Sequence, residues 1–193
     1  MATVKFKVLN RRRIFNDFLK IDEAEVQFER FDGTETGPVR RLCMMRGDAV
    51  VAVVHDVENA QVLLVRQFRL PTVEKGDGWP LELVAGMLSA GEDPEDAMRR
   101  EIEEEIGYSV SHLEPIGTVF ASPGGSDERL FMYYAAVCPA DKRSDGGGLA
   151  EEHEDIALEH LPIKDLEAFL DSGETLDAKT YVGLSWFLRR KCS

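Results

Sequence analysis

Residues 86–108 read GMLSAGEDPEDAMRREIEEEIGY, a stretch that combines helix start and stop signals with a cluster of carboxylates. Asp93 is a typical N-cap residue, Pro94 falls at the first helical position, and Gly107 supplies a stop. The large apolar residues repeat every four positions, at Met98, Ile102 and Ile106. Such a stripe can face a hydrophobic core. The pattern therefore predicts a helix from residue 94 to residue 106, preceded by a short strand over 81–85 and a loop.

Three glutamates fall within an arc of about 100° on this helix: Glu101, Glu104 and Glu105. They lie near its C-terminal end, where the helix dipole disfavours anions, and like charges three or four residues apart repel by about 0.2–0.5 kcal/mol per pair. A divalent cation would reverse the sign of both effects. The residues alone leave two interpretations open, a solvated acidic face and a metal site.

The spacing within this stretch resembles the Nudix box, Gly-x5-Glu-x7-Arg-Glu-U-x-Glu-Glu-x-Gly-U, in which U is a bulky apolar residue. All seven fixed positions match: Gly86, Glu92, Arg100, Glu101, Glu104, Glu105 and Gly107. Tyr108 takes the last apolar position. With common residues each used at roughly 5–7%, such a coincidence occurs about once in 10⁸ to 10⁹ starting points. The resemblance implies an α+β fold, a Nudix α/β/α sandwich with a mixed sheet, and an enzyme that hydrolyses pyrophosphate bonds.

Other segments resemble the ADP-ribose pyrophosphatase branch of that family and its close relative acting on GDP-mannose, over roughly residues 45–190. These segments are LVRQFR (64–69), LELVAGM (81–87), ASPGG (121–125), GGGLAEEHEDI (146–156) and DAKT (177–180). Pro123 lies sixteen residues beyond Gly107, at a position associated with ADP-ribose specificity. Since the GDP-mannose branch shares the SPGG loop, both nucleotide sugars stay open as substrates.

The resemblance also implies roles for individual residues. The metal ligands it implies are the Ala85 carbonyl, Glu101, Glu105 and Glu154. For the catalytic set, it implies Glu152 as general base and Glu104 beside the ligands. Arg100 can pair with Glu92 or with a ligand carboxylate, and it would then hold the cluster in shape before metal arrives. The residues it places at the nucleotide-sugar site are Arg41, Arg69, Ser122 and Glu128. Oxygen ligands without a Cys or His cluster favour Mg²⁺, or Mn²⁺, over zinc.

The first 45 residues predict a small antiparallel sheet with few apolar residues of its own. The predicted strands cover 3–8, 14–21, 23–31 and 39–45, with the second and third joined through Asp22. A sheet of this kind needs a partner surface to be stable, and the resemblance implies a homodimer in which it is shared or exchanged. We therefore divide the chain into an N-terminal dimerisation region, 1–45, and a Nudix hydrolase domain, 46–193.

The rest of the chain predicts strands over 49–54, 61–70, 113–120, 130–137 and 156–161, a short helix over 163–170 and a final helix from Asp177 to residue 190. Arg66 and Arg69 are an odd number of residues apart, so they should point to opposite faces. The glycine run SDGGG, 144–148, predicts a flexible loop that carries the acidic residues 151–155 over a bound substrate. A solvated connector is the alternative interpretation.

Composition excludes several classes of protein. The net charge of −13 argues against non-specific binding of nucleic acid, which requires a basic surface. The three cysteines are odd in number and widely spaced, which indicates reduced thiols. No run approaches the 18 or so apolar residues of a membrane span, and the start lacks a signal-peptide pattern, so we expect a cytoplasmic protein without a membrane partner. A nucleoside triphosphate pyrophosphohydrolase and a non-enzymatic Nudix-fold sensor remain alternatives, although a sensor has no need of the complete set of glutamates.

Overall fold

A computed structural model describes residues 5–174 and 176–192 of the chain, apart from the side chain of Glu152. The chain forms two compact units. The first comprises residues 1–47 and 120–128, and the second comprises 48–119 and 129–193. Each unit has its own sheet.

The first unit contains an antiparallel sheet of three strands, β1 (Phe6–Asn16), β2 (Lys20–Phe28) and β3 (Val39–Met44), in the order β1-β2-β3. The predicted turn at Asp22 is wrong, because Asp22 lies inside β2, opposite Arg13. The Arg13 Nε donates to Asp22 Oδ1 at 2.6 Å and the Arg11 Nε donates to Oδ2 at 2.9 Å. Two guanidinium groups on the neighbouring strand thus stabilise a carboxylate that the local sequence marks as a turn.

This sheet buries little apolar surface within its own unit. Every residue of β1 is exposed, and the large apolar side chains among them are Phe6, Val8, Leu9, Ile14 and Phe15. The described residues of β1 therefore contribute little to a hydrophobic core, as the sequence predicts for this sheet.

The second unit contains a sheet of seven strands. They are β4 (Asp48–Asp56), β5 (Gln61–Arg66), β6 (Leu81–Glu82), β7 (Val84–Met87), β8 (Glu114–Phe120), β9 (Arg129–Val137) and β10 (Ala157–Pro162). The order is β10-β5-β4-β9-β8, with β6 paired to β5 and β7 paired to β4. Because β4 runs parallel to β9 and antiparallel to β5 and β7, the sheet is mixed, as predicted.

Helices cover both faces of β4. The α-helices among the described residues are α1 (Pro94–Ile106), α2 (Leu166–Asp171) and α3 (Ala178–Lys191). Val50, Ala52 and Val54 share one hydrophobic cluster with the apolar face of α1. Val53 points to the other face, where a Cβ on Gly183 of α3 would stand 3.0 Å from Val53 Cγ2. The α/β/α sandwich is therefore confirmed.

The helix α1 has the predicted bounds because its end signals are local. The Asp93 carboxylate accepts hydrogen bonds from the backbone N–H of Glu95, at 2.9 Å, and of Asp96. Gly107 closes the helix in the left-handed conformation, with φ 76°. Across the described ranges, no helix is long and apolar enough to cross a membrane.

Candidate active site

Glu105 is a carboxylate on the buried face of α1. It is only 2% exposed, and the Ala85 backbone N–H donates to its Oε2 at 3.3 Å. Burial, followed by the charge of Glu101, raises the pKa of Glu105 to about 8. A buried carboxylate beside a second carboxylate is costly unless a positive charge accompanies it. The position therefore suits a bound cation.

Glu101 occupies a notch that exists because residue 86 has no side chain. A Cβ on Gly86 would stand 1.8 Å from the carboxyl carbon of Glu101, far inside any possible contact. Gly86 lies on β7 opposite Val50 of β4, so the notch is fixed by the central sheet. Burial raises the pKa of Glu101, against the opposing effect of Arg100. The strand before α1 thus determines where this carboxylate can lie.

Arg100 holds the remaining glutamates of the helix and its preceding loop. Its Nη1 donates to Glu101 Oε1 at 2.8 Å and to Glu104 Oε2 at 2.9 Å, and its Nε donates to Glu92 Oε1 at 3.2 Å. Burial would lower the pKa of Arg100, but pairing with these carboxylates outweighs it and raises that pKa. Glu92 also accepts from the backbone N–H of Ser89 at 3.0 Å. Arg100 and Glu92 therefore tie the loop to the helix, and their catalytic role stays a prediction.

The glycine run is bound to the end of α1. Gly147 N–H donates to the Glu105 carbonyl at 2.9 Å, and Gly148 N–H donates to the Glu104 carbonyl at 3.0 Å. A Cβ on Gly146 would stand 2.5 Å from the Glu105 carbonyl oxygen. The prediction of a flexible loop over 144–148 is therefore wrong for these glycines, which satisfy helix carbonyls that otherwise lack a partner.

Glu154 lies just beyond this anchored segment. Its Oε2 accepts from the Leu149 backbone N–H at 2.9 Å, and a Cβ on Gly148 would stand 2.6 Å from the same oxygen. Burial is the largest cause of the raised pKa values of Glu101 and Glu105, and the negative charge of Glu154 is a smaller cause that acts in the same direction. The structure thus brings Glu154 close enough for its charge to act on the α1 carboxylates.

Glu152, predicted as the general base, has its backbone in a 3₁₀ turn at Ala150–Glu152. Its side chain lies outside the described part of the structure. Its distance from the α1 carboxylates is therefore not among the structural findings, and its role stays a prediction.

The described carboxylates fit a hard divalent cation by their chemistry. Within the ranges that the structure describes, no three His, Cys, Asp or Glu side chains already form a group that could hold a metal ion. Arg100 binds Glu101 and Glu104 and supplies their counter-charge. Glu105 is more deeply buried, and its described hydrogen bond comes from a backbone amide. Its environment favours an added cation with oxygen ligands.

Arg69, predicted to bind substrate, lies beside this site. Its Nε donates to Glu82 Oε2 at 2.8 Å, and its positive charge acts on Glu105 against the raising effect of burial on the Glu105 pKa. Arg66 pairs instead with Glu159 and donates to the Trp79 carbonyl. The two arginines therefore have different partners. The predicted strand over 61–70 is wrong beyond Arg66, where β5 ends, so the alternation of a strand does not set the direction of Arg69.

The other three residues predicted to bind substrate belong to the first unit. Arg41 lies on β3 opposite Ala24. The Ser122 carbonyl accepts from the Gly125 and Ser126 backbone N–H groups, which makes the predicted tight loop. Glu128 Oε1 lies 3.8 Å from Arg46 Nε. Their roles in binding stay predictions.

The sequence matches both a protein-family model and individual known proteins. A family model described as NUDIX domain matches residues 45–181. The ADP-ribose pyrophosphatase of Escherichia coli (strain K12) is 32% identical over 181 residues, which cover 93% of this chain and 86% of that protein. The GDP-mannose pyrophosphatase of Pectobacterium atrosepticum is 35% identical over 152 residues, 75% of this chain and 77% of that protein.

A solved structure described as an ADP compounds hydrolase also resembles the fold. Its TM-score is 0.73, over 96% of this chain and 95% of that one, at 18% sequence identity. At this identity the likeness concerns the fold alone.

Proposed function

Because this chain belongs to the Nudix family and is a Nudix hydrolase, we propose that it hydrolyses the pyrophosphate bond of a nucleoside diphosphate sugar. The substrate proposed first is ADP-ribose, which gives AMP and ribose 5-phosphate. The observation that carries the proposal is the pair of carboxylates at α1, Glu105 buried and Glu101 in the Gly86 notch, with Arg69 beside them.

GDP-mannose is the second candidate substrate. The GDP-mannose pyrophosphatase of Pectobacterium atrosepticum has the higher identity, 35%, although over a smaller share of the chain than the Escherichia coli relative. The SPGG loop at 122–125 suits both branches. We propose ADP-ribose first because, at a similar coverage of this chain, the Escherichia coli ADP-ribose pyrophosphatase is 32% identical and the GDP-mannose pyrophosphatase of Yersinia pestis is 29% identical.

The proposed metal is Mg²⁺, with Mn²⁺ as a substitute, held by the Ala85 carbonyl, Glu101, Glu105 and Glu154. When bound, such ions neutralise diphosphate charge and lower the pKa of an attacking water. In the proposed reaction, side chains of the protein position the metal ligands and accept a proton. Arg100 bridges Glu101 and Glu104 and holds both carboxylates in place. Glu152 accepts the proton of the attacking water.

Arg69 binds a phosphate oxygen in this proposal, because a guanidinium matches phosphate geometry and remains charged. Arg41, Ser122 and Glu128 are further residues that we propose to bind the nucleotide sugar. We further propose that residues 1–45 form the dimerisation region of a homodimer, with 46–193 as the hydrolase domain. The exposed apolar side chains of β1 support this, since a second copy would cover them. The location proposed is the cytoplasm.

The decisive experiment incubates the protein and Mg²⁺ with ADP-ribose, GDP-mannose, NADH and a nucleoside triphosphate, and identifies the products. Two monophosphates from ADP-ribose are expected; release of inorganic pyrophosphate from the triphosphate alone would replace the proposal with the triphosphate alternative. Glu105→Gln is expected to abolish turnover while the circular dichroism spectrum stays unchanged. Full activity in that variant would refute the proposed site. Absence of turnover by the wild type on every substrate would favour the non-enzymatic sensor.

A further inference from the structure

Glu82 is a buried carboxylate to which the proposed reaction gives no role. It lies on β6, is 5% exposed, and binds two cations. Arg69 Nε donates to its Oε2 at 2.8 Å, and Lys179 Nζ donates to its Oε1 at 2.6 Å. Lys179 belongs to the DAKT segment, which the sequence singles out and the proposed chemistry leaves unexplained. Glu82 thus joins that segment to an arginine at the site.

The DAKT segment holds its side of this network rigidly. Asp177 is the N-cap of α3 and accepts from the Lys179 backbone N–H at 3.0 Å and from Lys179 Nζ at 3.1 Å. Thr180 is fully buried, and its Oγ1 accepts from the Leu83 backbone N–H, next to Glu82, at 2.9 Å. The start of α3 is therefore fixed to β6, and Lys179 neutralises Glu82 whether or not Arg69 is present.

Arg69 is held at three points. Its backbone N–H donates to the Gly78 carbonyl at 2.8 Å, and its own carbonyl accepts from Thr72 Oγ1 at 2.9 Å. Its side chain is 41% exposed and meets Glu82 through Nε. A guanidinium has five N–H donors in a rigid plane, so one bond at Nε sets the direction in which the others point. A long side chain that is fixed in advance loses less entropy when it binds an anion.

We propose that Glu82, anchored by Lys179, is a positioning residue for Arg69: it fixes the guanidinium beside the α1 carboxylates so that the remaining donors meet a phosphate of the substrate. This inference rests on the proposed function, since it assigns Arg69 to the diphosphate. It also explains the DAKT segment, whose lysine and threonine secure Glu82 and the strand that carries it. The competing explanation is that the three charges only stabilise the packing of α3.

A thermodynamic cycle separates the two explanations. Arg69→Gln is expected to raise KM for ADP-ribose about tenfold to a hundredfold, the loss that follows from one charge-assisted hydrogen bond. Glu82→Gln should raise KM about fivefold or more, with a smaller change in kcat. The double variant should be no worse than Arg69→Gln alone, because Glu82 acts only through Arg69. Multiplied losses in the double variant would overturn the proposal.

Two further variants guard against a folding defect. Glu82→Asp keeps the negative charge that Lys179 requires but withdraws the carboxylate by one methylene, so KM should rise in a stable protein. Glu159→Gln is the matched control, since Glu159 also pairs with an arginine Nε, that of Arg66, at 3.2 Å. Its KM should stay at the wild-type value. An unchanged KM in Glu82→Asp and Glu82→Gln would overturn the proposal.

The affinity for inorganic pyrophosphate, measured by calorimetry, tests the inference apart from turnover. If the wild type hydrolyses no nucleotide sugar, the proposed function fails, and the same cycle is then evaluated on pyrophosphate affinity. Weaker binding in Glu82→Gln that does not add to the effect of Arg69→Gln supports the positioning role. Wild-type affinity in Glu82→Gln refutes it. Turnover in the wild type together with additive losses refutes the inference and leaves the proposed function in place.

Discussion

Gly86→Ala is predicted to inactivate the enzyme without unfolding it. The new Cβ would stand 1.8 Å from the Glu101 carboxyl carbon, whereas carbons in contact lie about 3.5–4.0 Å apart. The carboxylate must therefore move by roughly 2 Å, which the end of a flexible side chain can do at little cost in stability. Misplacing a catalytic group by about 1 Å can cost a hundredfold in rate. We expect kcat/KM to fall at least about a hundredfold, or about 2.7 kcal/mol.

The assay combines kcat/KM at saturating Mg²⁺, the affinity for Mn²⁺ and the melting temperature. Since Gly86 has no positive φ, alanine should not strain the backbone, and the free energy of unfolding should change by no more than about 1 kcal/mol. Gly37→Ala is the control, because its Cβ would meet no atom within 4 Å. Wild-type activity and Mn²⁺ affinity in Gly86→Ala would refute the reasoning. If Gly86→Ala is unstable, adding Glu101→Ala must restore stability, or the collision assigned to Glu101 is wrong.

Variants of Glu152, Gly146 and Asp22 test other parts of the structure. Glu152→Gln should lower kcat about a hundredfold or more with unchanged Mn²⁺ affinity; an unchanged kcat would move the general base elsewhere within 151–155. Gly146→Ala should destabilise the fold by about 1–3 kcal/mol more than Gly173→Ala in urea titrations. Both glycines have positive φ, but of the two only Gly146 would bring a Cβ to within 2.5 Å of a carbonyl oxygen. Equal losses of stability in the two variants would exclude this clash. Hydrogen bonding from Arg13, against the effect of burial, lowers the pKa of Asp22 in the folded protein. The Asp22 carboxylate therefore stabilises the fold at pH values above its unfolded pKa of about 3.9. This contribution is lost as the pH falls through the pKa of Asp22 in the folded protein. Asp22→Asn should therefore lower the melting temperature at pH 7, and the difference should shrink in acid; a constant difference would refute the ion pair.

Local signals predict α1 and its carboxylates almost completely. Asp93, Pro94 and Gly107 act within a few residues of where they stand, so the bounds of the helix follow from the sequence. The seven fixed positions of the Nudix box likewise identify the family, which the matching family model confirms. What the box does not state is why its first glycine is needed. The structure answers this with the carboxylate of Glu101, which takes the space of a side chain.

The errors concern residues whose partners are distant in sequence. Asp22 has the composition of a turn, and only the arginines on β1 make it a strand residue. The glycines at 146–148 are typical of a flexible loop, but in the fold Gly147 and Gly148 donate hydrogen bonds to carbonyls at the end of α1. Glu82 was missed because a glutamate in an apolar strand carries no local sign of Arg69 or of Lys179, 97 residues further along the chain. Patterns of neighbouring residues do not indicate ion pairs between residues that are far apart in sequence.

The hydrogen bonds between the glycine run and α1 restrict how the chain length here can vary. Gly147 and Gly148 close the last turn of the helix, and Glu154 follows only a few residues later. The Arg143 N–H donates to the Gly107 carbonyl, so inserting or deleting one residue between Arg143 and Gly147 would shift the glycine amides away from the carbonyls of Glu104 and Glu105. The end of the helix, the glycine run and Glu154 therefore form one hydrogen-bonded unit, whose amides should exchange with solvent together.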